Sequence, residues 1–217
     1  ISLMIFSQQP FIGFNAFFIL AFTALTICSY LYLDLPIARL FHNLPLPYSI
    51  DKFAYFLTNL GLSGYYLVGL ALIALIAFLC QKKPLAHASV FLFICILVSG
   101  IASGVLKIIF GRARPDEFFD LADYGFYWFK LKAQYWSFPS GHATTIWTAM
   151  LGLCVIKPRW SRLFIIVAIF ISLTRVFLAK HYLSDVISAL YISLVCVYEV
   201  DAFFSRKRYN LGSLGAK

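Results

Sequence analysis

Charge is what this chain has least of. Asp, Glu, Lys and Arg make up only 12% of its 217 residues, about half of the roughly 25% usual in soluble domains. Hydrophobic residues reach 62%, against roughly 45–50%. That balance excludes a soluble globular domain and also disorder, which requires few apolar residues and much charge. Glycine and proline, at 12 and 8 residues, are too sparse for a collagen or a flexible linker. The cysteines, Cys28, Cys80, Cys95, Cys154 and Cys196, are odd in number and lie within or at the ends of apolar runs. Without CxxC or Cys/His spacing they read as small packing residues rather than as a disulfide framework or a zinc site. No group of carboxylates forms a cage for a hard cation, so no metal or other cofactor is expected.

What is present is apolar sequence long enough to cross a bilayer. Phe11 to Leu33, Phe53 to Cys80 and Pro84 to Leu106 run for 23, 28 and 23 residues without a charge, and about 20 suffice for a spanning helix. The chain starts at Ile1, but its first run is too long for a signal-peptide core and reads as a retained span. Ala143 to Ile156, Leu163 to Ala179 and Val186 to Phe204 are shorter, or carry Arg175, Glu199 and Asp201. The expectation is an all-α polytopic membrane protein, a six-transmembrane-helix bundle forming one domain over residues 1–217. A charge at mid-membrane costs at least about 2.5–3.5 kcal/mol and is usually functional, so the site is expected on spans 3 to 6.

Lys and Arg divide nine against nine between the two sides. Setting aside Lys107, Arg114 and Arg175 as site residues leaves six against nine, which places both termini in the cytoplasm. The polar segment from Lys107 to Ser140 then faces outward. It is rich in aromatics, among them Phe118, Phe119, Tyr124, Phe126, Trp128 and Trp136, which favour the headgroup level. A short extracytoplasmic lid between spans 3 and 4 is expected, resting on the membrane surface.

Three separated clusters fall at the outer ends of these spans: Lys107 to Pro115 (KIIFGRARP), Pro139 to His142 (PSGH) and Thr174 to Asp185 (TRVFLAKHYLSD). The inventory suits phosphoryl transfer without a metal. Charge spreads over three equatorial oxygens in the transition state, where cations and backbone N–H groups act most strongly. Arg114 and Arg175 offer bidentate forks, and Lys107 a point charge. A helix starting at Ser140 and Gly141 presents free N–H groups and its positive end. His181 and Asp185, four apart, share a helix face. The carboxylate orients one ring nitrogen, and the other is free to attack phosphorus. His142 is the natural acid for the leaving alkoxide.

These residues resemble the tripartite signature of the type 2 phosphatidic acid phosphatase superfamily, which also includes vanadium haloperoxidases: K-x6-RP, PSGH and SR-x5-H-x3-D. Lys107, Arg114 and Pro115 match the first element, Pro139 to His142 the second, and Arg175, His181 and Asp185 the third. Thr174 stands where Ser is usual, Ala179 where Gly is common, and Leu183 where Pro often follows the histidine. The resemblance implies an integral membrane lipid phosphatase in the membrane lipid phosphatase branch, with His181 as nucleophile, His142 as leaving-group acid and Asp185 as orienter. Lys107, Arg114, Ser140, Gly141 and Arg175 fall where the family binds phosphate. Similar GRARP and YWSFPSGH stretches occur in bacterial relatives that include lipid A phosphatases.

The expected function is hydrolysis of a phosphomonoester or pyrophosphate on a membrane lipid through a phosphohistidine. Phosphatidylglycerol phosphate, phosphatidate, undecaprenyl diphosphate and lipid A are the candidate substrates. The rivals are a lipid-to-lipid phosphotransferase with the same site and a transporter that only binds the phosphate. The implied setting is a bacterial inner membrane with the site facing the periplasm; no nucleic-acid partner is expected, and the oligomeric state is open. Other polar residues have blander readings. Arg112 and Lys180 are expected at the surface or on headgroups, and His42 and His87 as interfacial or packing residues. Glu199 and Asp201 are expected to pair with the basic tail from Arg206 to Arg208. Gly100 and Gly104, with Ser99, Ala102 and Ser103, are expected to line a close-packed helix face.

Overall fold

In a computed structural model, which describes residues 16–45 and 47–206, the chain folds into helices with no strand among the described residues. The first helical rod comprises α1 (Ala16–Cys28), a π-helical turn over Ser29–Leu33 and α2 (Asp34–His42). Pro36 has no N–H to offer the carbonyl of Tyr32, and the rod widens just before it. The predicted first run is therefore longer than its apolar stretch, continuing through Asp34 to His42; residues 11–15 lie outside the described residues. Next come α3 (Tyr48–Asn59), α4 (Ser63–Leu79) and α5 (Lys83–Phe110). The short α6 (Pro115–Leu121) is followed by α7 (Gly141–Ile156), α8 (Ser161–Phe177) and α9 (Leu183–Arg206).

Among the described residues, four helical stretches are long and apolar enough to cross a membrane: Phe17–His42, Lys83–Phe110, Pro158–Phe177 and Leu183–Arg206. A fifth results if α3 and α4, which meet at a 45° bend, are one broken span. The uninterrupted helix expected from Phe53 to Cys80 is thus corrected: it breaks between Asn59 and Ser63. The break holds no charge or proline, so hydropathy does not reveal it.

α7 packs against α5, α8 and α9 and is buried along most of its length. Phe91, Cys95, Ala143, Trp147, Leu151, Ala189 and Val197 belong to its core. Hydroxyls join the helices where apolar surface alone cannot, since lipid is as apolar as a leucine. Thr148 Oγ1 lies within hydrogen-bond distance, 3.0 Å, of both Ser99 Oγ and Ser193 Oγ, linking three helices. Of the small residues expected on a close-packed face of α5, Ser99 and Ser103 are buried, whereas a Cβ on Gly100 or Gly104 would meet open space. Gly152 is tight: a Cβ there would stand 2.5 Å from Leu92 Cδ2. All five cysteines are free thiols.

Candidate active site

The end of α5 is set by Gly111, which adopts a left-handed conformation at φ +53° and donates its N–H to Lys107 O at 3.0 Å. A side chain there would crowd Trp128 N and Lys130 at about 3.1 Å. The chain then doubles back, with the N–H groups of Tyr127, Trp128 and Phe129 donating to Gly111 O, Phe110 O and Ile109 O. One turn inside, Lys107 Nζ donates to the carbonyls of Trp136 and Pro139 at 2.8 and 2.6 Å. The ammonium thereby ties the first cluster to the second, with Lys107 Cε 3.5 Å from where a Cβ on Gly141 would lie. Arg114 caps the start of α6, its Nε donating to Ala133 O at 3.1 Å.

Ser140 is the N-cap of α7 and accepts a long bond from Ala143 N at 3.5 Å. Its own N–H donates to Asp185 O at 3.2 Å, joining the second cluster to the third. The first-turn N–H groups of Gly141 and His142 have no intrahelical acceptor. Gly61, in the break between α3 and α4, lies against His142. A Cβ on it would meet His142 Cβ and O at 2.9 Å. The same broken segment supplies Thr58, whose Oγ1 accepts from Arg175 Nη1 at 3.0 Å.

His181 sits in the turn joining α8 to α9, where the N–H groups of Lys180 and His181 both donate to Arg175 O, at 3.0 and 3.1 Å. Ala179 takes φ +48° in this turn, a conformation that Gly adopts freely and Ala does not. His181 is 2% exposed and Asp185 fully buried. His181 Nδ1 lies 3.4 Å from Asp185 Oδ2, within ion-pair reach but without good hydrogen-bond geometry. Burial pushes the His181 imidazole well below its usual range, Asp185 opposes that, and Lys107 and Arg175 add to it. The ring is therefore neutral at pH 7. Lys107, Arg114 and Arg175 lie close enough to act electrostatically on His142. All eight residues singled out in the sequence thus collect at one end of the bundle.

One expectation fails. Arg112 is not at the surface: it is 0% exposed. Its Nη1 donates to Asp185 Oδ1 at 2.5 Å and to Ser184 Oγ at 2.6 Å, and its Nη2 to Asp34 Oδ2 at 2.7 Å. Burial works against its charge, but Asp185 and Asp34 outweigh it and hold the guanidinium protonated. Tyr182, Tyr30, Phe126 and Tyr124 ring it, with centroids 4.3, 5.0, 5.3 and 5.7 Å from Cζ. These faces replace water around a desolvated cation. Asp34 was equally hidden to sequence reasoning. The available signal was two opposite charges, Asp34 and Arg112, each at the same-side end of a long apolar run.

The aromatic segment divides. Tyr124 and Phe126 turn inward onto Arg112, while Trp128 and Phe129 are 52% and 73% exposed. Lys180 reaches Asp116 at 3.2 Å and stays partly exposed, in line with a surface role. His42 stacks on Phe119 at 3.7 Å between centroids, a packing contact as expected. Glu199 and Asp201 make no ion pair among the described residues, which include Arg206 but not Lys207 or Arg208.

The PAP2 superfamily model matches residues 88–209, more than half of the chain. The chain is a member of the PAP2 superfamily. Among relatives of this PAP2 protein, the lipid A 1-phosphatase of Rhizobium etli is 38% identical over 110 residues, covering 51% of this chain and 47% of the relative. The undecaprenyl-diphosphatase of Sulfolobus acidocaldarius is 28% identical over 113 residues, covering 52% and 53%. The match thus spans about half the length of these curated relatives. Two crystal structures share the fold, each with a TM-score of 0.57. The Bacillus subtilis PAP2-type phosphatidylglycerolphosphate phosphatase is 18% identical and covers 92% of both chains. Aquifex aeolicus LpxE is 22% identical and covers 77% of this chain and 94% of its own.

Proposed function

We propose that this multi-pass membrane PAP2 protein is a metal-independent lipid phosphate phosphatase working through a phosphohistidine at His181. The observation that carries the reading is the convergence of three sequence-distant clusters on one neutral, buried imidazole beside Asp185, with Lys107 and Arg175 acting on it. Lys107, Arg114, Arg175, the Ser140 hydroxyl and the N–H groups of Gly141 and His142 hold the terminal phosphoryl oxygens. His181 Nε2 attacks phosphorus as the P–O bond to the lipid breaks, and His142 gives its proton to the departing oxygen. Water then attacks the P–N bond with His142 as base, releasing inorganic phosphate and restoring His181.

In this reading the bundle crosses the membrane six times. The α3–α4 pair counts as one crossing and α7 as another. With 16 residues, α7 is about 24 Å long, short of a core of about 30 Å. It is enclosed by α5, α8 and α9, so protein rather than lipid meets its ends. The site faces the periplasm beneath a lid formed by residues 111–140, and both termini are cytoplasmic. The matches to a lipid A 1-phosphatase and an undecaprenyl-diphosphatase support a lipid phosphate or diphosphate as substrate.

The test is phosphate release in detergent from phosphatidylglycerol phosphate, phosphatidate, undecaprenyl diphosphate and lipid A, with the His181→Ala protein as blank. Release of inorganic phosphate from at least one of them is expected. No release from any, or a doubly phosphorylated acceptor lipid in place of phosphate, contradicts hydrolysis.

A further inference from the structure

Asp34 and Arg112 have no place in the reaction just described, yet with Asp185 they form the most deeply buried charge cluster among the described residues, all three at most 1% exposed. Asp34 lies outside the residues matched by the family model. Its Oδ1 accepts from Ser29 Oγ at 3.0 Å and from the N–H of Ser184, in the first turn of α9, at 2.9 Å. Its Oδ2 accepts from Arg112 and from Ser184 Oγ. Asp185 Oδ2 is fixed separately by Ser137 Oγ at 2.6 Å and by the Tyr182 N–H at 2.9 Å.

We infer that Asp34 and Arg112 are positioning residues for His181, acting through Asp185. The inference rests on the proposed phosphatase chemistry. Two carboxylates share one guanidinium, so the cluster carries one net negative charge, and Asp185 is the member that faces the imidazole. If Arg112 had no second partner, it would neutralise Asp185 and weaken that carboxylate's electrostatic pull on the Nδ1 side of His181, 3.4 Å away. Asp34 draws part of the guanidinium charge away while Arg112 locks the position of Asp185. The tautomer that leaves Nε2 free for phosphorus follows from both. The π-helical turn before Asp34 and the aromatic ring around Arg112 deliver the first rod of the protein to the site.

The test combines kinetics with a readout independent of turnover. Wild type is first assayed on the four-lipid panel; absence of any phosphate release refutes the phosphatase reading itself. With an active wild type, Asp34→Asn is expected to lower kcat by about tenfold or more at unchanged KM, since the substrate-holding cations are untouched. Arg112→Lys should retain more activity than Arg112→Gln. In 15N-histidine NMR, with the His181 signal assigned by its loss in His181→Gln, wild type should show a single Nδ1–H tautomer and Asp34→Asn a mixture. Asp34→Asn at wild-type kcat with an unmixed tautomer overturns the inference, as does equal activity of Arg112→Lys and Arg112→Gln. If Asp34→Asn does not fold, the Arg112 pair and the tautomer in Ser184→Ala, which keeps both charges but cuts a link between them, decide the matter. Retention of the pure tautomer there, with equal Arg112 variants, also counts against it.

Discussion

At the scale of single residues, the proposed chemistry depends on an imidazole kept neutral by burial. An unfolded chain binds a proton at His181 near pH 6.5, whereas the folded protein, with this ring's affinity lowered, does not. Stability from this residue is therefore complete above about pH 6.5 and declines as the pH falls below it. Thermal melts in detergent from pH 7.5 to 5 should show His181→Gln losing less stability in acid than wild type; parallel losses would place the ring in water. Asp185→Asn should lower turnover by about 10–100-fold through loss of histidine orientation, and an unchanged rate removes it from the site. Ala179 permits a test in the opposite direction. Its φ of +48° costs about 1–2 kcal/mol for a residue with a Cβ, partly offset by the extra entropy Gly loses on folding. Ala179→Gly should leave the protein as stable or up to about 1 kcal/mol more so, and a loss of stability would contradict the strain.

At the scale of elements, the broken α3–α4 pair does more than pack against the bundle. Its bend presses Gly61 against the backbone of His142, while Thr58 holds Arg175. A methyl on Gly61 must displace backbone, because one of the atoms it meets at 2.9 Å is His142 O. Misplacing a reacting group by about 1 Å can cost 10²-fold, so Gly61→Ala should reduce kcat severalfold or more. Full activity in that variant would show that the bend only packs. This contact illustrates where the sequence stops being legible. Apolar run length locates α5, α8 and α9 within a few residues, and the PSGH turn locates the start of α7. The break at Gly61 lies inside 28 uncharged residues, and hydropathy averages over it. Arg112 is illegible for a related reason: charge next to an aromatic segment suggests a surface, and only tertiary packing supplies the Tyr30, Tyr124, Phe126 and Tyr182 faces that bury it.

At the scale of the molecule, the protein is a helical bundle whose charged residues of interest gather at one end, far apart in sequence and joined by main-chain ties. Ser140 N–H to Asp185 O and Lys107 Nζ to Pro139 O make the three motifs one body. That convergence was legible because all three motifs fall at the same-side ends of their apolar runs. The participation of the first rod was not legible, because Asp34 belongs to no motif and reaches the site only through the fold. Since the positive charge at the site comes from Lys107, Arg114 and Arg175, phosphate release should persist in excess EDTA; loss rescued by magnesium would contradict the mechanism. The most direct test of the account is rapid quenching of the enzyme on a 32P-labelled lipid from the panel that it hydrolyses. Protein-bound label that is acid-labile, alkali-stable and absent in His181→Ala is the predicted result. Phosphate release with no such adduct in wild type, or an adduct that survives in His181→Ala, would contradict it.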